Sequence, residues 1–489
     1  MQLIYKAKKA AVPVRFVVGK IGRFTGKVLE VPTGQGDALK RIPKASPLNN
    51  RRLVILMRKA VSLAKQNRIK ALDINWKDVR ALAPSSKGGS AFGRKNLDDA
   101  ALGQLVGTAF VMAGYEHNTY KQKPKEGFAA VEVVAVRNTS QEGADGLARG
   151  FVVGEEVNAC RELSNTPGGD MTPKTLFDAA KKALKGTGAT VKALGVAEMK
   201  KLGMGAILGV AKGAEEEPRF IIMEYRGNAE RTRNGRGKNA EKTKPIVLIG
   251  KGVTFDTGGL NIKTGDHMYE MHMDMSGGAA VIHAVALAAK LKVKANVVGL
   301  VPAVENAVSG SSMRPGDILK SLSGKTIEIL NTDAEGRVVL ADGITYAKRY
   351  DPALVVDVAT LTGASIVALG TQASAFMAKR DEDILPFIKL GEKSGDYMWP
   401  FPVWSEYEEM TKGNFGDVPN ISTMGNSRDG GVIAGGMFLK RFYDDLSCPW
   451  LHIDMSSRMV STPNEFLAKG AAGAPVRFLL ALIESYAQK

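Results

Sequence analysis

An α/β protein is what this sequence predicts: a smaller N-terminal α/β domain joined by a helix to a larger C-terminal α/β domain with a mixed central sheet. Three observations predict it. Short apolar runs of strand length alternate with segments of helical apolar spacing from end to end. A chain of 489 residues can bury a large core and divides into two or three domains. The charge is also unevenly placed: residues 1–150 hold 27 Lys or Arg against 11 Asp or Glu, whereas residues 151–489 hold 40 against 39. We place a basic N-terminal domain at 1–148, a linking helix at 149–170 and the larger domain at 171–489.

The first strand is expected at 14–19, where Val14, Phe16, Val17 and Val18 gather around Arg15. Residues 48–65 bring Leu53, Leu56, Met57, Ala60 and Leu63 to one helical face, with lysines and arginines on the other. A strand over 70–74, a helix over about 97–115 and a strand over 128–136 complete a domain without a visible catalytic cluster. The next helix carries Val153, Val157, Cys160 and Leu163 on one face and ends at Thr166-Pro167-Gly168-Gly169. Thr172 then reads as an N-cap with Pro173 at the first helical position, opening a helix to about 185.

Strands at 219–225 and 245–249 bracket residues 227–244, a Gly-, Asn-, Arg- and Lys-rich surface loop by composition. A partner contact and an unconstrained insertion both fit it. Residues 277–291 form a near-continuous apolar helix, so His283 is expected in the core, and Asp274 lies where helix N-terminal amides can orient it. Further strands are expected at 326–330, 353–358 and 451–454, and Trp399, Trp404 and Trp450 are expected to pack.

Composition excludes some classes. With 44% hydrophobic and 24% charged residues the chain is that of a soluble globular protein, and no run of 18 uncharged apolar residues offers a membrane span. Cys160 and Cys448 are too few for a disulfide framework or a Cys-based zinc site, and are expected as inert core residues in a reducing compartment. The basic N-terminal domain suits nucleic acid or another polyanion, and equally a solvated basic face. The first 29 residues hold seven Lys or Arg and no acid, so a mitochondrial location stands as the alternative to the cytoplasm.

Chemistry gathers in a few stretches. Asn331-Thr332-Asp333-Ala334-Glu335-Gly336-Arg337 follows an apolar run and precedes a helical pattern, so it reads as a loop between strand and helix. By itself it could be a helix cap with an ion pair. A second stretch changes the balance: Lys251-Gly252-Val253-Thr254-Phe255-Asp256-Thr257-Gly258-Gly259-Leu260-Asn261-Ile262-Lys263 follows another strand, and Asp274 comes soon after. Four carboxylates held together repel and raise one another's pKa, so they need cations. Two divalent metals bridged by shared carboxylates are the simplest answer. His267, Glu270 and His272 lack the spacing of a His-Glu-x-x-His zinc motif.

These stretches, with Thr360-Leu361-Thr362-Gly363-Ala364, resemble the leucine aminopeptidase or cytosol aminopeptidase family of two-metal exopeptidases, from about residue 165 to the C-terminus. The resemblance implies that Asp256 and Glu335 bridge both metals, that Asp333 ligates one, and that Lys251 and Asp274 ligate the other. Lys251 would have to be neutral to do so. It implies that Lys263 polarises the substrate carbonyl and that Arg337 carries a bicarbonate acting as general base. Met271, Thr360, Leu361, Gly363, Ser456 and Met459 match the substrate contacts. Zinc or manganese is the implied metal pair, with cobalt a further candidate. Peptides with a free N-terminus are the implied substrates, leucine and other apolar residues leaving first, and a homohexamer built as a dimer of trimers is the implied assembly. Thr257, Thr264 and His272 depart from the family's usual residues. Two rivals remain: a nucleic-acid-binding regulator acting through the basic domain, and a two-metal phosphoesterase.

Overall fold

Apolar runs with no polar face need cover on both sides, and the strands Ile246–Gly250 and Leu354–Ala359 are buried at every position. In the computed structural model, which describes residues 1–5, 10–17, 22–33, 50–83, 97–227, 244–425 and 429–487, they lie at the centre of a nine-stranded mixed sheet. Its order is Met398–Pro400, Ser374–Ala378, Trp450–Asp454, Leu354–Ala359, Ile246–Gly250, Asn296–Asn306, Arg219–Arg226, Thr190–Leu194, with Gly252–Asp256 also paired to Asn296–Asn306. The four central strands are parallel, and antiparallel pairs flank them. The C-terminal ends of parallel strands open on one edge, and that edge receives the loops of interest.

The chain falls into two compact units: residues 1–158, 392–395 and 461–470 form one, and the remainder forms the other. The first has a six-stranded sheet in the order Gln2–Ile4, Val133–Arg137, Ala71–Asn75, Val12–Val17, Leu29–Pro32, Arg23–Phe24. The helix Asn50–Gln66 buries Leu53, Leu56, Met57 and Ala60 as its spacing predicts. The strand expected over 128–136 forms only from Val133. Its partner strand begins at Ala71, opposite Val133, and backbone hydrogen bonding reaches back to Glu132, whose N–H donates to the Lys70 carbonyl at 2.7 Å. The expected linking helix is longer than its apolar stripe, running Gln141–Asn165. Its glycines explain the early start: a Cβ at Gly146 or Gly150 would collide with the backbone of Asp99–Gly114, so the helix surfaces meet directly.

In the second unit Thr172 caps Pro173–Leu184 as expected, its hydroxyl accepting the Thr175 N–H at 3.2 Å. The helix Ser276–Lys290 is buried along nearly its whole length, His283 included. Cys160 and Cys448 are buried too. The strand expected at 326–330 forms at its N-terminal end, while the tryptophans depart in part from expectation. The run at 326–330 joins a separate three-stranded sheet as Thr326–Glu328, because Glu328 turns its carboxylate onto the amides of Asn414, Phe415 and Gly416. Trp450 packs, stacked on Tyr443, but Trp399 and Trp404 are exposed. Trp399 sits on an edge strand whose alternation buries Met398 and turns the indole outward. The segment 227–244 lies, except for its end residues, outside the described residues. Among the described residues no helix is long and apolar enough to cross a membrane.

Candidate active site

Lys251 stands between the strands Ile246–Gly250 and Gly252–Asp256, and Asp256 closes the second of them. Asn306 is its partner in register and donates its side-chain N–H to Asp256 Oδ1 at 2.8 Å and to the Thr332 carbonyl at 3.1 Å. The chain then reverses through Gly258 and Gly259, at φ of 86° and 63°. Side chains other than glycine rarely adopt these values. Thr332 stitches this turn to the 331–337 loop: its hydroxyl donates to the Gly258 carbonyl at 2.6 Å and its N–H to Asn261 Oδ1 at 2.8 Å. Asn420 clamps the same loop, accepting the Leu330 N–H at 2.8 Å and donating to the Asn331 carbonyl at 2.6 Å.

Asn331 to Arg337 is therefore not all loop. The helix Glu335–Ala347 begins three residues earlier than the apolar pattern, so Glu335 and Arg337 project from its first turn. Nor do helix amides orient Asp274, whose Oδ1 accepts the Thr360 hydroxyl at 2.7 Å and whose Oδ2 faces Lys251.

Carboxylate oxygens of Asp256, Asp333 and Glu335 lie within 4.8 Å of one another. Lys251 Nζ sits 2.6 Å from Asp274 Oδ2, 2.8 Å from Glu335 Oε1 and 3.0 Å from the Thr360 carbonyl. Lys263 Nζ is 2.8 Å from Asp256 Oδ2 and also meets Asp333. Four of the five predicted metal ligands are buried, with only Asp333 partly exposed. Burial alone lowers the pKa of Lys251, but Asp274, Glu335 and Asp256 outweigh it and hold the ammonium above its ordinary range. Lys263 is raised in the same way: burial pulls it down, and Asp256, Glu335 and Asp333 overcome it. Burial drives Asp274 well above the carboxylate range, and with Asp256 and Glu335 nearby pushes Asp333 up to about 6. Arg337, buried at the helix start, is lowered to about 10 by desolvation despite Glu335 and Asp454.

Gly336 makes this packing possible, since a Cβ there would stand 2.6 Å from Lys251 Nζ. Gly336→Ala should therefore displace the ammonium and reduce turnover by about 10²-fold, the scale of an ångström's misplacement. Steady-state kinetics beside a thermal melt test it; unchanged turnover would show that Lys251 has room to move.

On the substrate side, Leu361 and Gly363 share with Asp333 and Arg337 the lining of a cleft of about 1020 Å³, walled also by Ile421, Val432 and Ile433. Met271 packs against Met273, Met459 and Ala471 in a small apolar cluster. Ser456 bonds to Thr362 and Asp454. The structure thus gathers the predicted ligands around Lys251 and Lys263; of the predicted contacts, Leu361 and Gly363 line the cleft and Met271 and Met459 the methionine cluster, while Thr360 bonds Asp274 and Ser456 joins Thr362 to Asp454. Sequence reading missed Asn306, Asn420 and Asp454. For Asp454 the available signal was a carboxylate at the C-terminal end of a predicted strand; Asn306 and Asn420 carry no local signal.

The family model for the cytosol aminopeptidase family, catalytic domain, matches residues 158–480. The chain belongs to that family. A probable cytosol aminopeptidase from Azoarcus sp. (strain BH72) is 43% identical over 357 residues, covering 73% of this chain and 67% of the relative. Another, from Saccharophagus degradans, is 39% identical over 438 residues, 85% of this chain and 83% of the relative. A third, from Syntrophotalea carbinolica, is 39% identical over 387 residues, 78% and 74%. As a cytosol aminopeptidase family member the protein is an aminopeptidase, a hydrolase of peptide bonds, and the matched segment contains every residue of the carboxylate and lysine cluster.

Proposed function

We propose that this aminopeptidase depends on two divalent metals and releases apolar N-terminal residues, leucine foremost, from peptides with a free N-terminus. The observation that carries the reading is the cluster of Asp256, Asp333 and Glu335, with Asp274 and Lys251 beside it. Its chemistry fits metal ions. Glu335 Oε2 is buried without a hydrogen-bond partner among the described residues, while Oε1 faces Lys251 at 2.8 Å, and an orphaned carboxylate oxygen of this kind suits coordination. Lys251, Asp256, Asp274, Asp333 and Glu335 would hold the pair. Zinc or manganese there supplies positive charge and lowers the pKa of water by several units.

The chain's own groups do the rest. Lys263, paired with the cleft-lining Asp333 and with Asp256, donates to the carbonyl oxygen as negative charge develops on it. Arg337, its Nε without a hydrogen-bond partner among the described residues, is placed to hold a small anion such as bicarbonate that takes a proton. The methionine cluster supports an apolar first residue, since flexible thioethers adapt to several side chains. The cytoplasm and the family's homohexamer complete the reading.

The test is hydrolysis of leucine p-nitroanilide by chelator-stripped protein with zinc, manganese or cobalt restored, beside N-acetyl-leucine p-nitroanilide. Metal-restored cleavage of the free-amine substrate alone is expected. Full activity after stripping, or equal cleavage of the acetylated substrate, would overturn the reading.

A further inference from the structure

One fully buried carboxylate outside the cluster joins the two loops that face the substrate. Asp454 ends the strand Trp450–Asp454 and is 0% exposed. Its Oδ1 accepts the Leu361 N–H at 3.2 Å, the Ser456 N–H at 3.1 Å and the Ser456 hydroxyl at 2.8 Å, with the Ser365 hydroxyl at 3.4 Å. Its Oδ2 accepts the Thr362 hydroxyl at 2.5 Å. Ser456 Oγ closes the circuit by accepting the Thr362 N–H at 3.1 Å.

The strands beneath are paired with Ala359 opposite Asp454, so the loops leave the sheet side by side. Backbone pairing runs one bond further, the Met455 N–H donating to the Ala359 carbonyl at 2.8 Å. Beyond it the carboxylate gathers donors from both loops, and a residue unable to accept them would leave buried N–H and O–H groups unpaired. The loop's placement also reaches Arg337. A Cβ on Gly435 would touch Leu361 at 3.1 Å, Thr362 at 3.2 Å and Arg337 Nη2 at 3.6 Å, so loop and guanidinium share one packing contact. Leu361 lines the cleft, and its N–H is spent on Asp454.

We propose that Asp454 is a positioning residue for peptide hydrolysis, setting the pose of the 360–365 loop against the substrate through Leu361, Thr362 and Ser456. It touches no reacting atom. The proposal rests on the reading of this cleft as the aminopeptidase site.

The experiment compares Asp454→Asn, Asp454→Glu, Thr362→Val, Ser456→Ala and the double variant Asp454→Asn with Thr362→Val, each with metal content measured. The substrate is whichever aminoacyl p-nitroanilide the unmodified protein cleaves best. Asp454→Asn is expected to lower kcat/KM by about 10- to 50-fold, mostly through KM, with metal content unchanged. Asp454→Glu should recover part of that loss. The double variant should be at most about twofold worse than Asp454→Asn, because the two side chains act as one unit. Asp454→Asn within about threefold of the parent, multiplying losses in the double variant, or a loss that tracks missing metal would each overturn the proposal. Should Asp454→Asn fail to fold, Thr362→Val and Ser456→Ala decide: KM raised about threefold or more supports the proposal, and values within twofold for both overturn it. An unmodified protein inactive on the whole panel with metals restored would remove the reading of the cleft and this proposal with it; an active one with indifferent variants removes only the proposal.

Discussion

Glu335→Gln should cut kcat/KM for leucine p-nitroanilide by about 10³-fold or more, equivalent to about 4 kcal/mol of transition-state stabilisation. Glu335 is buried, its Oε1 faces the Lys251 ammonium, and its oxygens converge with those of Asp256 and Asp333. Glutamine keeps the shape and removes the charge, so what is lost is the capacity to ligate. Stability should respond the other way. Four carboxylates here face two ammonium groups, and removing one of the like charges relieves repulsion. The chelated variant should melt at or above the chelated parent. Kinetics, metal analysis and melting curves on the same samples test both statements; turnover within tenfold of the parent would remove Glu335 from the catalytic set.

Lys263→Met should lower kcat by about 10²- to 10³-fold with little change in KM, the scale of removing one donor to a developing oxyanion. Lys263 reaches Asp256 and Asp333 from the far side of the Gly258 turn, and its own N–H donates to the Thr257 carbonyl at 2.9 Å. Arginine should not restore activity, because a planar fork cannot occupy the place of a compact ammonium. Here stability and activity fall together. Deleting this largely buried cation leaves Asp256 and Asp333 uncompensated, and because Asp333 is partly exposed the chelated protein should lose less than the about 3–5 kcal/mol of a fully buried pair. Opposite shifts in melting temperature for Glu335→Gln and Lys263→Met would separate a charge cluster awaiting cations from an ordinary buried ion-pair network. Shifts of the same sign would contradict this account.

The family of this protein was legible in its amino-acid order because the groups that carry the resemblance sit in short stretches of sequence. Glycines at 258 and 259, bordered by Asp256 and Lys263, announce a turn built for close approach. Thr172-Pro173 announces a helix start, and the structure caps it there. Strand and helix periodicity located most elements, since burial of one face or both leaves its period in the sequence. Residues 326–330 read as a strand, yet no local pattern says that it leaves the main sheet, because the choice depends on Glu328 finding amides about ninety residues away. Trp399 was misplaced for a related reason: an indole's exposure on a strand follows from whether that strand lies at an edge, which is set by pairing; Trp404 lies off the strands, just before the 3-10 helix Ser405–Thr411.

Convergence itself belonged to the tertiary structure. Lys251, Asp274 and Glu335 come from three segments: Lys251 follows the parallel strand Ile246–Gly250, Asp274 precedes the helix Ser276–Lys290, and Glu335 opens a helix that follows the separate three-stranded sheet, so only the assembled fold brings them together. Asn306, Asn420 and Asp454 tie the surrounding loops together through hydrogen bonds spanning 26 to 93 residues of chain. Ligand types can be read from a motif because they are local chemistry. Their scaffolding is long-range hydrogen bonding between segments whose adjacency exists only after the sheet has formed.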